Sequence, residues 1–272
     1  MQYLLFFLLP FSFAFGETVL KCVGSTTIQP IIEKVAKKYK QESGITLNIS
    51  GGGSQHAVDY LISNKIEIGM VSRDLTNQEK NALSYITIGY DTLAFLVNSD
   101  NPLQNISKKD LIEIYTAEVK NWKKFNTKDE KIHLLSKRID RGTLNIFEHY
   151  TGLFHPQNPK NSDKSKMIDT SAWEAGANND MMVWVAGIPN SIGYISLGSV
   201  NAIKKHGLPI KILELDGVKP SRENIQNQSY PIKRELNLVF LKSNKQAAKF
   251  AEWMLEEYAQ NSVEENLFLR AK

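Results

Sequence analysis

A chain of 272 residues, 42% hydrophobic and 23% charged, has an ordinary globular composition and enough length for a large core in one or two domains. The formal net charge of +4 is small, and no basic run is interleaved with aromatics, which argues against nucleic acid as a partner. Cys22 is the only cysteine, so no internal disulfide forms; with no histidine or basic cluster beside it, it reads as a buried strand residue.

Residues 1–16, MQYLLFFLLPFSFAFG, are an apolar run ending in small residues before Glu17, as in a secretory signal peptide cleaved near Gly16–Glu17. No later stretch is apolar for long enough to span a membrane, so the mature chain is expected to be exported and soluble. Val19 to Val23 read as a strand that feeds Gly24-Ser25-Thr26-Thr27. From Ile28, apolar residues at Ile31, Ile32, Val35 and Tyr39 mark a helix, with Ser25 to Thr27 as cap candidates and Gly44 closing it. Ile45, Leu47 and Ile49 alternate as a second strand, followed by Gly51-Gly52-Gly53-Ser54 and a second helix through Ala57, Val58, Leu61 and Ile62. A third strand over residues 66–71 ends at Ser72-Arg73-Asp74, and Thr76-Asn77-Gln78-Glu79 fits a capping box. Strands follow over 86–88 and 93–98, a helix after Ser107, and a strand over 132–135 that ends at Arg138-Ile139-Asp140-Arg141-Gly142-Thr143, where a further helix starts. Residues 151–176, rich in Asn, Pro, Lys, Ser and Asp, read as a long surface excursion. A helix over 181–186, strands over 191–196, 210–215 and 236–241, and a closing helix from Ala247 to Tyr258 complete the pattern.

The grammar of strand, then a loop of Gly, Ser, Thr or Arg, then helix is repeated. Ligands of open α/β sheets sit at the carboxyl ends of strands, and a helix start favours negative charge, so these loops can converge on one cleft. Hydroxyls of Thr26, Thr27, Ser54, Ser72 and Thr143, backbone N–H groups and arginine, with few carboxylates, describe a receptor for a small oxyanion. Arg138 can grip such an anion through two parallel hydrogen bonds, although the same residue would equally suit a surface or interlobe salt bridge. Enzyme readings lack their parts. Gly52-Gly53-Ser54-Gln55-His56 is no nucleophile elbow, there is no phosphate loop of the nucleotide-binding kind, and His149 and His155 lack metal-ligand spacing and read as surface histidines.

The chain resembles the periplasmic substrate-binding proteins of phosphate ABC transporters, in the shorter-chain branch of that family. The likeness runs through Gly24-Ser25-Thr26-Thr27 with Pro30, Gly53-Ser54, Ile68-Gly69 to Ser72-Arg73, Asn98 with Asn101-Pro102, Asn121-Trp122, Arg138 with Gly142-Thr143, Ile192-Gly193-Tyr194 and Tyr230-Pro231. It implies an α/β, two-lobed periplasmic-binding-protein fold (type II), each lobe a mixed sheet flanked by helices, with residues 17–91 and 197–272 as lobe I and 92–196 as lobe II. The lobes would hinge near residues 90–93 and 195–200. It further implies a monomeric, non-catalytic receptor, free of metal and cofactor, that captures inorganic phosphate in the periplasm and passes it to an inner-membrane ABC permease. The expected ligand contacts are Ser25, Thr26, Thr27, Gly53, Ser54, Ser72, Arg73, Arg138, Arg141, Gly142 and Thr143. Two positions depart from the family pattern: Arg141 stands where a serine is usual, and Arg73 where some members carry an aspartate that accepts the proton of hydrogen phosphate. Asp74, Asp91 or Asp140 are the candidate substitutes. Alternatives are a receptor for sulfate or molybdate, or a sensing or adhesion module on the same fold.

Overall fold

The computed structural model describes residues 18–158, 163–200 and 205–271; the expected signal segment lies outside them. β1 (Val19–Gly24) leads into α1 (Gln29–Ser43), which buries Ile31, Ile32, Val35 and Tyr39 at the helical spacing read from the sequence. Pro30 sits in its first turn, and Gly44, in the left-handed region at φ 73°, ends it by donating its N–H to the Lys40 carbonyl. Cys22 is fully buried in β1, and burial pushes its thiol up to about 12, so it stays protonated and inert. β2 (Thr46–Gly51), α2 (Ser54–Ile62), β3 (Ile68–Val71), α3 (Asn77–Ala82) and β4 (Ser84–Asp91) follow, and Thr76 and Glu79 form the predicted capping box on α3.

The chain then builds a second layer set: β5 (Leu93–Asn98), β6 (Asn105–Ile106), α4 (Lys108–Tyr115), β7 (His133–Lys137), α5 (Gly142–Thr151), β8 (Trp173–Ala175), α6 (Asn178–Gly187), β9 (Ser191–Ser196), β10 (Ile210–Ile212), β11 (Glu214–Leu215) and α7 (Arg222–Gln226). It returns through β12 (Arg234–Phe240), α8 (Lys245–Trp253), α9 (Glu257–Glu265) and β13 (Leu269–Arg270). The first sheet has the order β13-β4-β12-β3-β1-β2, with β1 parallel to β2 and β3 and β12 antiparallel to β3 and β4. The second has the order β10-β5-β9-β7-β8, with β7 parallel to β8 and β9 and β5 antiparallel to β9 and β10. Both are mixed sheets flanked by helices, each with its own core, as the expected fold requires.

Three sequence expectations change. The chain leaves the second lobe near residue 233, not at 197: Leu197, Val200, Leu213, Leu215, Ile225, Tyr230 and Ile232 all bury into the second core, and β10 pairs with β5. The two crossings therefore lie at Asp91–Thr92 and just before Arg234, bound together where Thr92 Oγ1 donates to the Ile232 carbonyl at 2.5 Å. Residues 151–176, expected as a surface excursion, contribute Leu153, His155 and Ile168 to the interior and β8 to the sheet edge, although 159–162 lie outside the described residues. The closing helix is two helices, interrupted between Trp253 and Glu257. Among the described residues no helix is long and apolar enough to cross a membrane.

Candidate functional site

Four helices begin at one small cavity between the lobes. α1 and α2 come from the first lobe, α5 and α6 from the second, and the wall is made by Ser25, Thr26, Thr27, Gly53, Ser54, Ser72, Arg141, Gly142, Thr143, Gly176 and Asn178. Every helix start brings unpaired N–H groups and a partial positive charge, so four together build a strong anion field. The cavity between these walls measures only about 10 Å³, far below the usual size of an organic-ligand pocket. No carboxylate stands on this wall among the described residues.

The hydroxyls are held in place by one another. Ser25 Oγ donates to Ser72 Oγ at 2.7 Å and accepts the Thr27 N–H at 3.1 Å, while Ser54 Oγ accepts the Ser72 N–H at 3.1 Å. Ser25 thus orders the Thr26-Thr27 turn; α1 itself starts after Ile28 without a side-chain cap, so the capping role expected of this loop is replaced by turn formation.

The lobes are in contact. Gln55 N–H donates to the Asp140 carbonyl at 3.4 Å, and a Cβ on Gly53, whose φ is +102°, would lie 2.8 Å from that oxygen. A Cβ on Gly142 would lie 2.6 Å from Ser54 Oγ and 2.9 Å from the Ser72 carbonyl, both across the cleft. Gly142→Ala is accordingly expected to destabilise the closed arrangement by about 1–3 kcal/mol, the usual cost of overpacking. Small-angle scattering should show a more open molecule with unchanged helix content; an unaltered scattering profile would refute the assignment.

The three arginines predicted for the site go to three different places. Arg141 lines the cavity, its Nη2 3.5 Å from where a Cβ on Gly176 would stand. Its Nε comes within 3.3 Å of Asp140 Oδ1 but is misaligned, and the guanidinium donates no hydrogen bond among the described residues. Arg73, expected as a contact, turns away: it grips Glu79 through two bonds of 2.8 and 2.7 Å and also reaches Gln55 and the Asp74 carbonyl. Burial alone would raise the Glu79 carboxyl, but the Arg73 hydrogen bonds and charge, with the Thr76 N–H, outweigh it and hold the group below its usual range. Arg138, expected as the main grip, is half exposed and paired with Asp140 at 2.8 Å, off the cavity wall.

Beneath the cavity wall lies a buried ion pair, Asp91 with Arg234, of which the sequence named only Asp91 as a candidate for the site. Arg234, at the start of β12, is 1% exposed; its Nε and Nη2 both meet Asp91 Oδ2, at 2.9 and 2.5 Å. Its remaining donors go to the Ser72 carbonyl, Thr143 Oγ1 and Thr27 Oγ1 at 3.0–3.2 Å, so one guanidinium fastens both lobes beneath the cavity. Asn178 Nδ2 also reaches Thr27 Oγ1, at 3.3 Å, and Ser199 Oγ, at 2.8 Å. Of the carboxylates considered as proton acceptors, Asp91 sits behind Arg234, Asp140 belongs to the Arg138 and Arg141 pairs, and Asp74 lies on a wider groove at the cleft mouth.

Residues 14–257 match the PBP superfamily domain. The chain belongs to the PBP superfamily. Its relatives include the phosphate-binding protein PstS of Borreliella burgdorferi, 27% identical over 266 residues, 94% of this chain and 91% of that one. The PstS of Staphylococcus aureus strain USA300 is also 27% identical, over 86% of this chain and 73% of that one. Among solved structures, one from Clostridium perfringens, described as a phosphate ABC transporter substrate-binding protein with bound phosphate, superposes with a TM-score of 0.84 at 26% identity, covering 94% of this chain and all of that one. An ABC-type phosphate transport receptor from Vibrio cholerae superposes at 0.73 with 26% identity, over 92% and 99% of the two chains.

His56 Nδ1 is committed to the Gly52 carbonyl at 2.8 Å, and His155, expected at the surface, is 1% exposed and bonded to Glu174. Among the described residues no three His, Cys, Asp or Glu side chains converge as metal ligands.

Proposed function

We propose that the chain is an extracytoplasmic solute-binding protein that captures inorganic phosphate between its lobes and delivers it to an ABC permease in the inner membrane, without catalysis and without a cofactor. The guanidinium of Arg141, beside Asp140 but donating no hydrogen bond among the described residues, on a cavity wall made by four helix starts carries this reading, because a confined cation with unmet donors is completed by an anion. Ser25, Thr26, Thr27, Gly53, Ser54, Ser72, Gly142 and Thr143 join Arg141 as the ligand shell, while Arg73 and Arg138 act outside it as structural partners of Glu79 and Asp140. The PstS relatives and the phosphate-bound structure support phosphate as the anion. Residues 1–16 serve as the signal peptide, and the receptor works as a monomer that opens and closes about the paired crossings at 91–92 and 232–234.

One observation favours a second reading, a receptor for fully ionised oxyanions generally: no carboxylate faces the cavity to accept a proton from hydrogen phosphate. Calorimetric titration of residues 17–272, stripped of anion by unfolding and refolding, distinguishes the readings. Phosphate binding with sulfate silent supports the first, comparable binding of both supports the second, and silence toward both rejects an anion receptor.

A further inference from the structure

Lys137, the last residue of β7, is 1% exposed. Its Nζ donates a 2.6 Å hydrogen bond to the carbonyl of Ala177, in the peptide that joins it to Asn178, and Gly176 and Asn178 on either side stand on the cavity wall. Among the described residues the amine forms no ion pair. Its backbone N–H is held by the Tyr194 hydroxyl of β9 at 3.4 Å, which fixes the lysine at the inner end of its strand.

The charged groups around it come from each neighbouring element. Asp180 of α6 attracts the ammonium but is engaged by the Ala177 N–H at 2.7 Å; Arg141, ahead of α5, and Arg234 of β12 repel it. Asp91 is occupied by Arg234, Asp140 stands beside Arg138 and Arg141, and Glu174 of β8 is bonded to His155. Burial disfavours the charged amine most, Asp180 offsets part of this, and the two arginines add to it, bringing the group down to about 7. A negative charge in the cavity would oppose the field of those arginines and favour the charged form.

We propose that Lys137 is the proton-linked cation of this site: anion capture draws one proton from solvent onto its Nζ, and anion release returns it. This rests on the anion-receptor reading above and adds to it a pH dependence seated in a residue behind the wall. The bound state holds more protons than the free state above neutrality, so affinity falls as pH rises, by up to about tenfold per pH unit.

The test is titration of residues 17–272 with inorganic phosphate at pH 8 and pH 9, where phosphate is almost wholly the dianion, in two buffers of different ionisation enthalpy. Wild-type protein is expected to take up most of a proton and to bind several-fold more weakly at pH 9 than at pH 8. Lys137→Met is expected to take up almost none and to bind with the same affinity at both. A variant that binds phosphate with the wild-type proton count overturns the proposal. Should the variant fail to fold, a flat wild-type affinity between the two pH values overturns it equally. No phosphate binding by wild type at any pH overturns the receptor reading together with this one, so the two failures are distinct.

Discussion

Arg234→Met is expected to destabilise the protein by about 3–5 kcal/mol, the cost of leaving one member of a buried pair without the other. Both side chains are fully buried, and among the described residues Asp91 Oδ1 already lacks a partner, so none of them stands ready to replace the guanidinium. The loss extends to the Ser72 carbonyl and the hydroxyls of Thr27 and Thr143, which Arg234 serves together. Urea unfolding followed by circular dichroism measures the effect, and the double variant Asp91→Asn with Arg234→Met should recover a large part of it, since the uncompensated charge is then gone. A single variant within about 1 kcal/mol of wild type, the range of a surface pair, would mean that the pair is solvated and ordinary.

The second large effect concerns affinity. Arg141→Ala is expected to weaken phosphate binding by about 1.5–3 kcal/mol, roughly ten- to a hundredfold, for loss of charged hydrogen bonds in a confined site. Arg138→Ala, by contrast, removes a half-exposed pair with Asp140 and should change affinity by no more than about 1 kcal/mol. Calorimetry on both variants compares them directly. If Arg138→Ala proves the more damaging, the side-chain placement around Asp140 is reversed in the liganded protein and the assignment of Arg141 fails.

Local periodicity made most of the fold legible. The spacing of Ile31, Ile32, Val35 and Tyr39 located α1, the largely apolar run Leu93–Asn98 located β5, and the glycine-hydroxyl loops placed Ser25, Ser54, Ser72 and Thr143 on the cavity. Side-chain direction was not legible. Arg73 lies in one of those loops, yet its partner Glu79 was visible as the closing residue of the α3 capping box, and that carboxylate serves both tasks. Arg138 is likewise captured by Asp140, two residues along. Arg234 escaped notice because a charge at the head of an apolar strand signals nothing until the opposite strand supplies Asp91. The later lobe crossing escaped for a related reason: β10 joins the second sheet through β5, more than a hundred residues earlier in the chain, and pairing over that separation leaves no periodic trace.

β12 lies between β4 and β3 in the first sheet, and among the described residues it is the only neighbour β4 has there apart from the short β13. A chain growing from its amino terminus therefore makes β5 to β11 before β12, while β1, β2 and β3 wait as a three-stranded fragment and β4 has no described strand beside it. The lobe inserted in the middle of the sequence can be finished before the other, and when Arg234 arrives to meet Asp91, β12 joins β4 to β3 and sets the ion pair beneath the cavity in the same step, leaving β13 to add the edge.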